Sequence, residues 1–109
     1  MIEISDFTKV DIRVGTIVDV SEFPEARRPA YKFTIDFGPL GTKRSSAQIT
    51  DLYGKCDLLG RQVVAVVNFA PKRIAGFKSE VLVLGACPEE AGVVLLQMES
   101  RVPDGTRVS

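Results

Sequence analysis

At 109 residues, 45% of them hydrophobic and with no low-complexity tract, the chain is long enough for one folded domain with a single core and too short for two. It contains no histidine, which removes the commonest general base and metal ligand and excludes His-based triads and zinc chemistry. The 14 basic and 14 acidic residues cancel, yet ten cations and three acids fall between Arg27 and Lys78, leaving that stretch at +7 and the remainder at −7.

If the middle of the chain forms one side of the domain, that side attracts phosphate, so overall neutrality does not argue against a nucleic-acid partner. The acids are scattered, with Asp36, Asp51 and Asp57 isolated from one another, and form no D-x-D pattern. No catalytic constellation, metal site or cofactor is expected. The longest unbroken aliphatic run, residues 63–67, is far too short for a bilayer, and the acidic N-terminus is unlike a secretory signal, so a cytoplasmic protein is expected. Cys56 and Cys87 form no C-x-x-C motif and are expected reduced and part-buried.

Taken in order, residues 4–10 predict one short helical turn with Ser5 as N-cap and Asp6 in the first turn. Residues 11–23 alternate as a long first strand, with Gly15 breaking the alternation where a bulge or bend fits. Pro24 and Pro29 bracket a loop carrying Arg27 and Arg28, read as solvated charge. In residues 31–37, Tyr31, Phe33, Ile35 and Phe37 alternate with Lys32, Thr34 and Asp36, the pattern of a half-buried strand. After the turn at residues 38–41, residues 42–49 continue as an unusually polar strand that must show one side to water or a ligand. Residues 51–60 suit a helical turn or two, with Tyr53 contacting the barrel from the helix cap.

Residues 61–69 and 80–87 are nearly continuously apolar and read as central fourth and fifth strands. A turn at residues 88–92 leads to a sixth apolar segment, residues 93–98, which is either an extra strand or the cover for an edge or a partner subunit. This element order predicts an all-β, five-stranded OB-fold barrel with a short helix between strands 3 and 4 and N- and C-terminal extensions; a small sandwich or SH3-like barrel fits periodicity nearly as well. The whole chain reads as one domain, with a core at about residues 10–87 and residues 88–109 as the C-terminal extension.

The stretch with the richest mixture of contact types is the loop expected at residues 68–80, N-F-A-P-K-R-I-A-G-F-K-S-E. Lys72 and Arg73 are adjacent, point apart, and engage two phosphates or a phosphate and a base. With Asn68, Lys78 and Ser79 on the same connection, and Lys43 and Arg44 on the polar strand, binding outweighs solvated charge. Ser46 and Gln48 are candidate contacts to bases or ribose, whereas Phe77 beside Gly76 is read as core in preference to a base-stacking ring.

V-D-I-R-V-G-T-I at residues 10–17, F-P-E-A at 23–26, the serine pair Ser45 and Ser46, the run from Val63 to Glu80, and P-D-G-T-R at 103–107 together resemble the tRNA-binding OB-domain family. Within it, S-S-A-Q-I-T-D-L-Y and N-F-A-P-K-R-I-A-G-F-K-S-E-V are similar to the CsaA-type members. The resemblance implies a tRNA partner, with Asn68, Pro71, Lys72, Arg73, Gly76, Ser79 and Glu80 on the RNA-facing loop. It also implies a homodimer formed through the N- and C-terminal extensions. The alternative it carries is an export-related chaperone holding unfolded or preprotein chains.

Overall fold

The structure, a computed structural model, describes residues 1–90 and 92–109; of the turn expected at residues 88–92, Glu89 and Glu90 form a turn and position 91 lies outside the described residues. In chain order it forms α1 (Ile4–Thr8), β1 (Ile12–Glu22), β2 (Tyr31–Asp36), a single 3-10 turn (Gly38–Leu40), β3 (Thr42–Ala47), α2 (Lys55–Leu58) and β4 (Gln62–Val66). There follow β5 (Lys72–Ile74), β6 (Phe77–Ser79), β7 (Leu82–Val83), β8 (Gly85–Ala86), β9 (Val94–Leu95) and β10 (Arg107–Val108). The main antiparallel sheet runs β3-β2-β1-β4-β7, with β10 added to β1.

That sheet curls until its two ends meet. The Glu80 N–H donates to the Arg44 carbonyl at 2.7 Å, and the buried Ser45 hydroxyl donates to the Val81 carbonyl at 2.8 Å. Five strands thus form a nearly closed barrel, with α2 between the third and fourth and its Leu58 fully buried in the core. This is the expected OB-fold barrel.

Strand β1 is the one the others share. Its first half pairs with β4, Val14 opposite Val64 and Gly15 opposite Val63, and its second half pairs with β2. Gly15 and Ile17 face inward, where Ile35 and Phe37 pack with no exposed surface. The bulge lies at Val18, between Ile17 and Asp19, three residues beyond the expected break at Gly15. The extra residue shifts the phase, so that Val20 instead of Asp19 packs against the core.

Where β2 leaves the edge of β1, the C-terminal tail replaces it: Val14 donates to Thr106, Gly105 donates to Val14, and β10 follows in register. The tail also crosses the outer side of β1 and β4. There Gln62 exchanges hydrogen bonds with Val102, Thr16 donates to Asp104 at 2.6 Å, and Arg101 donates to Thr16. Covered on both sides, all five residues of β4 are buried, as its continuous apolar run predicts.

Several expectations are corrected. The N-cap of α1 is Glu3, whose N–H is bonded by the Asp6 carboxylate at 2.9 Å, and Ser5 lies inside the helix. The run at residues 80–87 is not one central strand. It divides at Leu84 into β7, at the edge of the barrel with Leu82 exposed, and β8, which pairs with β9 in a separate ribbon. The sixth apolar segment is therefore an extra strand, contributing Leu95 to the core and leaving Val94 and Leu96 outside. The Tyr53 hydroxyl accepts the Leu95 N–H, which ties this ribbon to the segment before α2. Cys56 and Cys87 are free and exposed, not part-buried.

Candidate nucleic-acid interface

The stretch expected as a loop at residues 68–80 is largely a two-stranded hairpin. Lys72 lies opposite Ser79, Arg73 opposite Lys78, and Ile74 opposite Phe77. The chain reverses through Ala75 and Gly76, both at positive φ (48° and 82°), the backbone of a primed two-residue turn. Directly opposed residues share a side of the ribbon, so Lys72, Ile74, Phe77 and Ser79 face the barrel while Arg73 and Lys78 stand together on the outer side, exposed to solvent.

Phe77 is buried, as the sequence suggests, but in a cluster of its own with Phe23 and Ala30, onto which Ala26 and Ile74 pack. The Phe23 and Phe77 rings meet edge to face at 5.4 Å. The Arg44 guanidinium lies 4.4 Å from the Phe77 centroid, and Lys32 Nζ lies 5.1 Å and 5.7 Å from the Phe23 and Phe77 centroids. Each such contact contributes about 0.5–2 kcal/mol and holds a cation at a defined place on the surface. Lys32 is not among the candidate contacts expected from the sequence, although its alternation with Tyr31 and Phe33 puts it outside the barrel, opposite Ser46.

Of the candidate residues, Lys72, Arg73, Lys78, Ser79, Arg44 and Ser46 come together on or beside the hairpin. Gln48 lines an adjoining cleft of about 450 Å³ together with Ser46, Ile49 and Leu84. Lys43 is parted from its neighbour Arg44 by strand alternation: it lies opposite Ile35 and lines the end of the barrel with Asp11, Phe37 and Val67. Asn68 is committed to the scaffold. Its amide donates to the Lys9 carbonyl at 2.7 Å and its carbonyl oxygen accepts the Asp11 N–H at 2.9 Å, fastening the end of β4 to the start of β1. Lys55 and Arg61 belong to the α2 region, where Arg61 stacks on Tyr53, so the central +7 stretch is only partly one surface. Among the described residues no three of Cys, Asp and Glu gather as metal ligands.

A nearly closed five-stranded barrel that presents a basic hairpin on one side defines an OB-fold binding module. A family model described as "Putative tRNA binding domain" matches residues 12–107, and the chain belongs to that family. It is similar to the chaperone CsaA of Bacillus anthracis, with 58% identity and a TM-score of 0.95 over 100% of this chain and 99% of that one. The CsaA chaperone protein of Picrophilus torridus is 53% identical, with a TM-score of 0.93 and full coverage of both chains. These neighbours put the chain in the CsaA-type branch of the family. Methionine–tRNA ligase of Thermococcus onnurineus is 36% identical over 107 residues, 98% of this chain and 14% of that protein. The chain thus spans only a small part of such curated relatives.

Proposed function

We propose that the protein is a non-catalytic, cytoplasmic tRNA-binding protein that recognises RNA through the outer side of the β5–β6 hairpin. The observation that carries this reading is the Arg73–Lys78 pair. Like charges directly opposite on a ribbon destabilise it, and the described residues place no acid in an ion pair with either. A phosphate between them turns that repulsion into two attractions, and Lys72, Arg44 and Lys32 continue the cationic surface on either side. In this reading Ser79, Ser46 and Gln48 contact ribose or bases, and Asn68 acts by holding the base of the hairpin connection. The alternative of a holder for unfolded chains has no observation of comparable weight.

Filter binding of bulk tRNA across a salt series tests this. Arg73→Ala/Lys78→Ala is expected to weaken binding on the order of tenfold or more at low salt and to flatten the salt dependence by about one log–log unit per lost cation. An unchanged affinity and slope would remove the hairpin from the interface.

The same reading includes a homodimer. Helix α1 has five residues and none is buried; Ile4 is 79% exposed, with Ile2 and Phe7 also exposed beside it. So short a helix is not stable by propensity alone and needs a surface to pack on. A second copy supplies one, with Val94 and Leu96 as further exposed apolar residues on β9 and just after it. Sedimentation equilibrium is expected to give a dimer for the parent and a monomer for Ile4→Asp/Phe7→Asp. A monomeric parent at micromolar concentration would overturn it.

A further inference from the structure

Between the hairpin and the barrel lies a second cleft of about 450 Å³, lined by Ser46, Phe69, Lys72, Ser79, Glu80 and Leu82 among others. Two of these have more to offer than their structural contacts use. Phe69 lines the cleft and is 55% exposed, so most of its ring is not spent on the core. Glu80 is a half-buried carboxylate beside the cationic hairpin, yet it makes no ion pair among the described residues; its one side-chain contact there is a long 3.3 Å hydrogen bond accepted from the Arg44 N–H.

On a surface built to attract phosphate, a lone carboxylate works against binding unless it accepts hydrogen bonds from something other than phosphate. Nucleobases carry such donors, and an exposed aromatic ring is the usual platform for an unstacked base. Guanine alone among the four presents two adjacent N–H donors, N1–H and the N2 amine, which match the two oxygens of a carboxylate. The cationic rim fits the sugar–phosphate chain on either side of such a base, and the apolar floor fits its ring. We propose that this cleft takes one unpaired guanine of a single-stranded RNA segment, stacked on Phe69 with its N1 and N2 hydrogens donated to Glu80, while Lys72 and Ser79 hold the adjoining phosphate and ribose.

The inference rests on the RNA-binding reading, and its test is arranged so that the two fail separately. Backbone-amide NMR titrations with GMP, IMP, AMP, CMP and UMP, all carrying the same phosphate, examine the cleft without tRNA. GMP is expected to shift the amides of Phe69, Ala70, Ser79 and Glu80 most, IMP less for want of the N2 amine, and UMP least. Glu80→Gln is expected to abolish the preference for GMP over IMP. Phe69→Ala is expected to weaken both GMP and tRNA on the order of tenfold while leaving the salt slope unchanged, since no phosphate contact is lost; Phe69→Tyr should restore binding. If all five nucleotides leave those amides unmoved, or an apolar peptide occupies the cleft while the nucleotides do not, the proposal is overturned. GMP binding here without tRNA binding would overturn the tRNA reading and keep the cleft; tRNA binding unaffected by Phe69→Ala, with no GMP response, would do the reverse.

Discussion

Gly15→Ala is expected to lower the melting temperature by more than ten degrees while leaving tRNA affinity intact at temperatures where the variant is folded. A Cβ at Gly15 would stand 2.7 Å from Ile35 Cγ2 and from two atoms of the Phe37 ring, closer than carbon atoms approach without displacement. Neither neighbour has room to move, because both are fully buried in the barrel core. Overpacking of this kind costs about 1–3 kcal/mol and more where the surroundings are rigid. For a domain of this size each kcal/mol corresponds to roughly 4–8 °C.

Phe37→Leu in the Gly15→Ala background is expected to recover part of the loss, because the two residues share one space and their effects do not add. A calorimetric scan of the parent and the two variants decides the matter. A Gly15→Ala protein melting within a few degrees of the parent would mean that β1 shifts to make room and that the inward side of the barrel is less tightly packed than the distances require. The hairpin lies against the Phe23 cluster, apart from Gly15, which is why binding serves as the control.

The barrel itself is legible in the sequence wherever burial on one or both sides leaves a period. Tyr31, Phe33, Ile35 and Phe37 betray β2, and the unbroken run at 63–66 betrays a strand covered on both sides. The hairpin is not legible for the opposite reason. Its strands have three residues each, too few to show a period, and its turn is Ala75–Gly76 where an asparagine or aspartate before the glycine would have marked a primed turn.

The run at residues 80–87 misleads because apolar content records what can be buried and not which residues find a partner. Leu82 ends at an edge that only the closed topology reveals. In the site, Lys72, Arg73 and Lys78 are visible as composition, but the pairing of Arg73 with Lys78 depends on register. The commitment of Asn68 depends on Lys9 and Asp11, 59 and 57 residues away. Conversely, the separation of Lys43 from Arg44 follows from strand alternation alone and is readable once residues 42–47 are taken as a strand.

Phe77→Ala is expected to weaken tRNA binding at least as much as removal of Arg73 and Lys78, although it removes no charge. A two-stranded ribbon is marginal by itself, and this one carries two cations face to face, so docking on the barrel must hold it together. That docking is Phe77 against Phe23 and Ala30, with Arg44 over the ring. Losing a buried phenylalanine costs about 3–5 kcal/mol in a main core. Here the cluster is separate from the core, so the chain can release the hairpin without unfolding the barrel.

The global melting temperature should therefore fall modestly, while the amides of residues 72–79 lose their protection from hydrogen exchange. Arg73 and Lys78 would then have to be ordered again on each binding event. With several side chains and a backbone segment to immobilise, the loss is on the order of tenfold to a hundredfold. Because the cations remain, binding at low salt should persist with a nearly unchanged salt slope, which separates lost geometry from lost charge. Phe77→Leu, which keeps the cluster filled, should stay close to the parent. If Phe77→Ala loses hairpin protection yet binds tRNA as tightly as the parent, the hairpin acts only as a flexible carrier of charge and the register of Arg73 with Lys78 has no part in recognition.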